Sequence, residues 1–331
     1  MSSSGAPSIG VVAPPDLAVD QFMPFAHRAE QLGFDELWVV EDCFYRGGIA
    51  QAAVALARTE RIRVGVGILP AGARNPAFAC LDLATLANLF PGRLLVGIGH
   101  GMPRWMRQTG AWPASPLTLL REYLDAVRSI LAGERVTVDG DYVRLRDVRL
   151  EGPAPRVVPP VFAGVRGPRS LAVSAELADG TILAEPVTPE YLRAVRVHTD
   201  AAGRRHEIVA YNVAAVDDSA DRARTLARRG LGAIGDPEWA PHIAPLPFAA
   251  EFVALRAAAS SREEFAASLP DAWVDQLAVV GTPVAARARL AELSAAGADH
   301  LVLIPAGSEP LAGLGSLARV LPPVSSGGSP R

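Results

Sequence analysis

Short runs that are apolar on both faces alternate along this chain with amphipathic stretches of helical period, and that alternation leaves few folds open. A strand apolar on both faces must be covered on both, and strands separated by helices pair in parallel. Strands are predicted at Ser8–Ala13, Glu36–Glu41, Arg63–Ile68 and Leu94–Gly99, with helices at Leu17–Gly33, Ile49–Arg58, Ala77–Phe90 and Leu117–Ala132. The segment Val136–Leu150 instead alternates apolar and polar residues around Asp139-Gly140, the pattern of an exposed hairpin. Regular units return with a strand at Val161–Gly164, a helix at Pro168–Ala178, a strand at Thr181–Ala184, a helix at Pro189–Ala202 and a strand at Glu207–Val216. From Asp218 to Ser268 the chain is helical and rich in Ala and Arg, broken by Pro237, Pro241, Pro245 and Pro247, and reads as a helical insertion. A helix at Pro283–Ala296, a strand at His300–Ile304 and a short helix at Pro310–Val320 close the series. Eight strands with helices between them predict an α/β fold, a (β/α)8 TIM barrel carrying a hairpin insertion and a helical insertion. One domain is expected over residues 1–321, with 322–331, rich in Pro, Ser and Gly, a disordered tail.

Composition narrows the chemistry. Half of the residues are hydrophobic and 20% charged, enough for a core without staples. A net charge of −3, without a basic stripe carrying aromatics, argues against a nucleic-acid partner. The longest apolar runs are strand-sized and Met1 to Pro7 lacks the basic and apolar parts of a secretory signal, so a cytoplasmic protein with no membrane association is expected. Cys43 and Cys80 are read as unbridged. There is no lysine: all 32 basic residues are arginine, which excludes Schiff-base and P-loop chemistry. Arginine and backbone N–H groups must therefore hold any phosphate.

In such barrels chemistry sits beyond the C-terminal ends of the strands. Glu41 and Asp42 follow the second strand, as acids that act on a ligand or as a cap for the next helix. The third strand ends in Gly65-Val66-Gly67-Ile68, where the glycines mark either close approach to a ligand or crowding inside the barrel. The fourth ends in Gly97-Ile98-Gly99-His100-Gly101, glycines that let a flat ligand lie against main chain. His100 is the one histidine directly after a strand, and with no second ligand at a metal spacing no metal is expected. After the fifth strand, Gly164-Val165-Arg166-Gly167-Pro168-Arg169-Ser170 opens a helix as an anion site, or else is an ordinary capped helix with solvated arginines. Glu185 follows the sixth strand and either faces the same cavity or caps the helix at Pro189.

These segments, in their joint order, resemble the luciferase-like monooxygenase family and, within it, the branch dependent on coenzyme F420 that includes methylenetetrahydromethanopterin reductases and glucose-6-phosphate dehydrogenases. The resemblance runs through Leu37 to Asp42, Ala57 to Gly67, Ala84-Thr85-Leu86 with Pro91-Gly92-Arg93, Gly97 to Gly101, Gly164 to Ser170, Ala178-Asp179-Gly180, Thr188 to Tyr191 and Val280 to Pro283. It implies a deazaflavin or flavin across the barrel mouth, its ring backed by a bulge with a cis peptide that maps to Gly67-Ile68. It places the cofactor phosphate on Gly164–Ser170. Where several members using coenzyme F420 carry histidine after the second strand this chain has Asp42, and where the sugar-phosphate dehydrogenase has glutamate after the fourth-strand glycines it has Met102. Neither the proton donor nor a sugar-phosphate substrate carries over.

The resulting expectation is a coenzyme F420-dependent oxidoreductase that delivers hydride to an activated C=C or C=N bond of a small molecule, with Glu41, Asp42, His100 or Glu185 as proton donor. The alternatives are an FMN-dependent monooxygenase and a non-catalytic ligand-binding barrel. Arg46, Arg104, Arg107, Arg166 and Arg169 flank the expected mouth and suit the polyanionic tail of coenzyme F420 better than FMN. A homodimer is one option for assembly.

Overall fold

The computed structural model describes residues 6–307 and 309–322. Residues 323–331, where the tail was expected, lie outside the described residues. Its strands are β1 (Ser8–Val12), β2 (Glu36–Val39), β3 (Arg63–Pro70), β4 (Leu94–Gly99), β5 (Val136–Asp139), β6 (Arg144–Val148), β7 (Val161–Gly164), β8 (Gly180–Leu183), β9 (Glu207–Val216), β10 (Val279–Gly281) and β11 (His300–Pro305). Eight of them close a parallel barrel in the order β1, β2, β3, β4, β7, β8, β9, β11, with β11 pairing back to β1. Strands β5 and β6 form the expected antiparallel hairpin. Three of its backbone N–H groups, from Asp141, Tyr142 and Val143, donate to the Glu122 carboxylate on the neighbouring helix.

Side-chain parity sorts the barrel into an inside and an outside. Val12, Trp38, Leu95, Phe162, Ile182, Val209, Tyr211 and Val302, one or two from each of seven strands, fill the lumen. Their neighbours in sequence, such as Val11, Leu37, Val96 and Leu303, turn outward into the larger core under the helices. Helices begin where the sequence supplies a cap and a proline: Asn75, Ser115, Thr188 and Thr282 each accept an N–H from the first turn, followed by Pro76, Pro116, Pro189 and Pro283.

The helical insertion is longer than the sequence suggests. It ends with the helix Asp271–Leu277, beyond Ser268, and is followed by β10, a strand the sequence reading did not assign. Three residues are too few to show a period. β10 pairs with the outer end of β9 through Ala214, Ala215 and Val216. Together they seat a second apolar core that includes Val213, Ala215, Ala227, Trp239, Phe252, Phe265 and Val280. The insertion is thereby anchored beside the C-terminal end of the barrel, where β9 runs on past its barrel partners.

Candidate active site

The expected acids separate by parity. Glu41 continues the outward set Leu37 and Val39; its carboxylate accepts from the first-turn N–H of Gly48 at 2.8 Å and binds Arg74 at 2.7 and 3.1 Å. That is the capping role: both carboxylate oxygens are engaged by Arg74 and Gly48 and neither is turned toward the lumen. Asp42 continues the inward set Trp38 and Val40. It is half-buried, has no side-chain hydrogen bond or ion pair among the described residues, and burial raises its pKa.

His100 is tethered rather than free. Its Nε2 lies 3.1 Å from Ser170 Oγ and its ring meets the Pro116 carbonyl, while burial foremost, together with Arg166, keeps its pKa low despite that carbonyl. A neutral ring with these partners ties the β4 turn to the first turn of the helix Pro168–Leu177. That leaves Glu185. Burial lifts its pKa to about 7, against the opposing influence of its own backbone and of Arg166 and with help from Asp42. Burial foremost, with the charges of Glu36, Glu185 and Asp42, pushes Tyr211 well up; its hydroxyl, fully buried, has no partner among the described residues. Asp42 and Glu185 thus lie within electrostatic reach of each other and of Tyr211.

The glycines resolve in an unexpected way. The register of β3 on β4 slips between Val66 and Leu69, which makes Gly67-Ile68 a bulge, and the Gly67–Ile68 peptide bond is cis, as are Cys43–Phe44 and Glu185–Pro186. A Cβ on Gly67 would meet the Tyr211 hydroxyl at 2.1 Å, so that glycine is required by crowding from below. At Gly164 a Cβ would run into the Ile68 side chain at 2.5 Å, whereas at Gly97 it would first meet the Val66 carbonyl at 2.4 Å and Ile182 at 2.5 Å, and at Gly99 the Gly164 carbonyl at 2.7 Å, with Ile68 next at 3.1 and 3.2 Å. These glycines make room for neighbouring main chain and for Ile68, and not directly for a flat ligand. Ile68 is the partly exposed apolar residue that the site presents.

The helix Pro168–Leu177 differs from those with Ser, Thr or Asn caps: Gly167 supplies no side-chain cap, so the N–H groups of its first turn remain open. Arg169 is exposed beside them and makes no side-chain hydrogen bond among the described residues. Arg166 is not the solvated arginine of the ordinary alternative. It donates to the Glu238 carbonyl at 2.9 Å, lies 4.9 Å from the Trp239 ring centre, and burial foremost lowers its pKa. Of the other mouth arginines, Arg46 is consumed by the carbonyls of Leu17 and Pro14 and by Gln51. Arg104 and Arg107 are exposed, Arg107 over Trp112 at 5.2 Å.

Sequence reasoning missed Arg74, Tyr211, Trp239 and His242. Tyr211 sits in an apolar strand, where inward parity was its only signal; the other three act through contacts between elements distant in sequence. Among the described residues no group of three or more His, Cys, Asp or Glu is placed to hold a metal. No helix there is long and apolar enough to cross a membrane.

Comparison with known proteins places this geometry. The luciferase-like monooxygenase family profile matches residues 4–300. A 5,10-methylenetetrahydromethanopterin reductase of Methanolobus tindarius is 27% identical over 307 residues, covering 89% of this chain and 93% of its own. Among solved structures, the coenzyme F420 dependent tetrahydromethanopterin reductase from Methanopyrus kandleri superposes with a TM-score of 0.82 at 19% identity, covering 95% of this chain and 98% of its own. An FMN complex of the oxygenating constituent of 3,6-diketocamphane monooxygenase from Pseudomonas putida gives 0.71 at 16% identity, covering 95% and 96%. At such identities the two superpositions speak for the fold.

Proposed function

Because the chain belongs to the luciferase-like monooxygenase family and is an oxidoreductase, we propose that it is a coenzyme F420-dependent reductase acting on an activated C=C or C=N bond of a small-molecule substrate. The similarity over most of both chains to a methylenetetrahydromethanopterin reductase, together with the shared fold of a coenzyme F420 dependent tetrahydromethanopterin reductase, supports the cofactor. So does the donor set: an uncapped helix start for a phosphate, with Arg104, Arg107 and Arg169 exposed for a polyanionic tail. The N–H groups of Arg169 and Ser170, with the Arg166 and Arg169 guanidinium groups, would hold the phosphate. Ile68 and the turn Gly99-His100-Gly101 would back the ring. When bound, coenzyme F420 supplies a hydride.

The protein supplies the proton. Glu185 carries the reading: a carboxyl whose pKa of about 7 lets it hold a proton near neutral pH and give it up readily. Asp42, raised in the same direction, stands beside it and disfavours its ionisation. Val40, Ile68 and Ile304, partly buried against the lumen residues, give this end of the barrel an apolar lining.

The test is to mix reduced coenzyme F420 with activated alkenes and cyclic imines and follow cofactor oxidation in wild type and Glu185→Gln. Acceptor-dependent oxidation that falls about a hundredfold in the variant, with cofactor affinity unchanged, is expected from loss of a general acid. Turnover that Glu185→Gln leaves intact, or oxygen consumption with reduced FMN alone, contradicts the reading.

A further inference from the structure

We propose that Trp239 and His242, both in the helical insertion, are positioning residues that clamp the backbone at Glu185 and Pro186 and so fix where the Glu185 carboxyl points. This rests on the reading of Glu185 as the acid of the site.

β8 ends at Leu183, and the three residues from Glu185 to Val187 continue beyond the ladder. Each has a backbone polar group gripped by a side chain from elsewhere. The Glu185 carbonyl accepts from Trp239 Nε1 at 2.6 Å, the Pro186 carbonyl lies 3.2 Å from His242 Nδ1, and the Val187 N–H donates to Asn212 Oδ1 at 2.9 Å. Asn212 belongs to β9, but Trp239 and His242 come from a segment more than fifty residues away. A carbonyl accepts only, so Nδ1 carries the His242 proton and Nε2 is left as a bare acceptor, buried and without a partner among the described residues. Burial foremost drives the His242 pKa down to about 3, which keeps the ring neutral. Its face packs on Tyr191 at 4.3 Å between ring centres.

The Trp239 ring has a second task. Arg166 lies over its face at 4.9 Å and donates to the carbonyl of the preceding residue, Glu238. One indole thus sets both the backbone of the acid and the position of the cation that acts on it. The charges that face Glu185 are Arg166 from the turn after β7 and Asp42 from the turn after β2; Tyr211 of β9 faces it uncharged, and Glu238 acts on Arg166. A catalytic group is effective only when its support holds it to within roughly half an ångström. A loop held by three side-chain bonds meets that need where a free loop does not.

The experiment follows the Glu185 carboxyl directly in the protein without cofactor, by its protonated C=O infrared band, assigned through its loss in Glu185→Gln and titrated with pH. Trp239→Phe keeps an aromatic face for Arg166 and removes the N–H. It is expected to move the Glu185 midpoint by about one pH unit toward the ordinary glutamate value and to lower kcat about tenfold with little change in coenzyme F420 affinity. His242→Phe keeps a ring over Tyr191 and removes the bond to Pro186; it is expected to move the midpoint the same way by less, and it stands in should Trp239→Phe fail to fold. An unmoved midpoint in both variants overturns the clamp, whatever their melting temperatures. If Glu185→Gln keeps full turnover while Trp239→Phe still moves the midpoint, the clamp stands and the assignment of Glu185 as proton donor falls.

Discussion

Glu185 at the mouth and His300 at the opposite end of the barrel are both buried titratable groups, and their surroundings give them opposite consequences for stability. Glu185 has a folded pKa of about 7 against an ordinary 4.5. Below 4.5 both folded and unfolded chains hold the proton; between 4.5 and 7 the unfolded chain releases it first, so stability falls as pH rises, and the penalty is complete above 7. Glu185→Gln removes the charge, and thermal unfolding should show the variant gaining on wild type across this window, by on the order of 2 kcal/mol above pH 7 after discounting for partial exposure. His300 lies between Glu36, 2.7 Å from Nδ1, and Glu207, 3.2 Å from Nε2. Burial works against its charge, but the two carboxylates prevail and raise its pKa to about 9. Its contribution is therefore complete below the ordinary 6.5 and lost as pH rises through 9. His300→Gln should flatten that alkaline slope and cost on the order of 3 kcal/mol at neutral pH, since it leaves Glu36 buried with fewer partners; an unchanged slope would show that His300 is not charged in the folded protein. The sequence brought both acids after β2 into view but could not divide them. Parity does so once Trp38 is known to fill the lumen, because Asp42 then faces in and Glu41 out.

The elements were legible where they obey a period and less so where they serve the site. The Ser-Pro, Thr-Pro and Asn-Pro starts announce helices, whereas Gly167-Pro168 opens one without a side-chain cap, as Met102-Pro103 and Glu309-Pro310 also do. What sequence could not supply is the fate of Arg166, since the insertion that receives it lies about seventy residues away. The two arginines should now behave differently. Arg169→Ala is expected to weaken coenzyme F420 binding about ten- to a hundredfold, the loss of one charged hydrogen bond of about 1.5–3 kcal/mol, with the melting temperature unchanged. Arg166→Ala should weaken binding and also lower the melting temperature, because it frees Trp239 and the Glu238 carbonyl. Equal stability in the two variants, measured by thermal unfolding, would return Arg166 to the class of solvated arginines.

At the scale of the whole molecule, closure into eight strands followed from counting apolar runs, while β10 and the second core under the insertion did not, because they depend on β9 outrunning its barrel partners. The helix Pro76–Leu89 buries Cys80, Leu83 and Ala87 yet exposes Phe78 at 68%, Leu81 at 52% and Leu89 at 65%. Asp82, Thr85 and Asn88 lie exposed among them, so this outer face is mixed polar and apolar, as solvent-facing helices commonly are. The identity of the cofactor is read by equilibrium titration of the purified protein with coenzyme F420 and, separately, with FMN, followed by fluorescence. Micromolar or tighter binding of coenzyme F420 with much weaker binding of FMN is the expected result; equal affinities, or FMN the tighter, would contradict it.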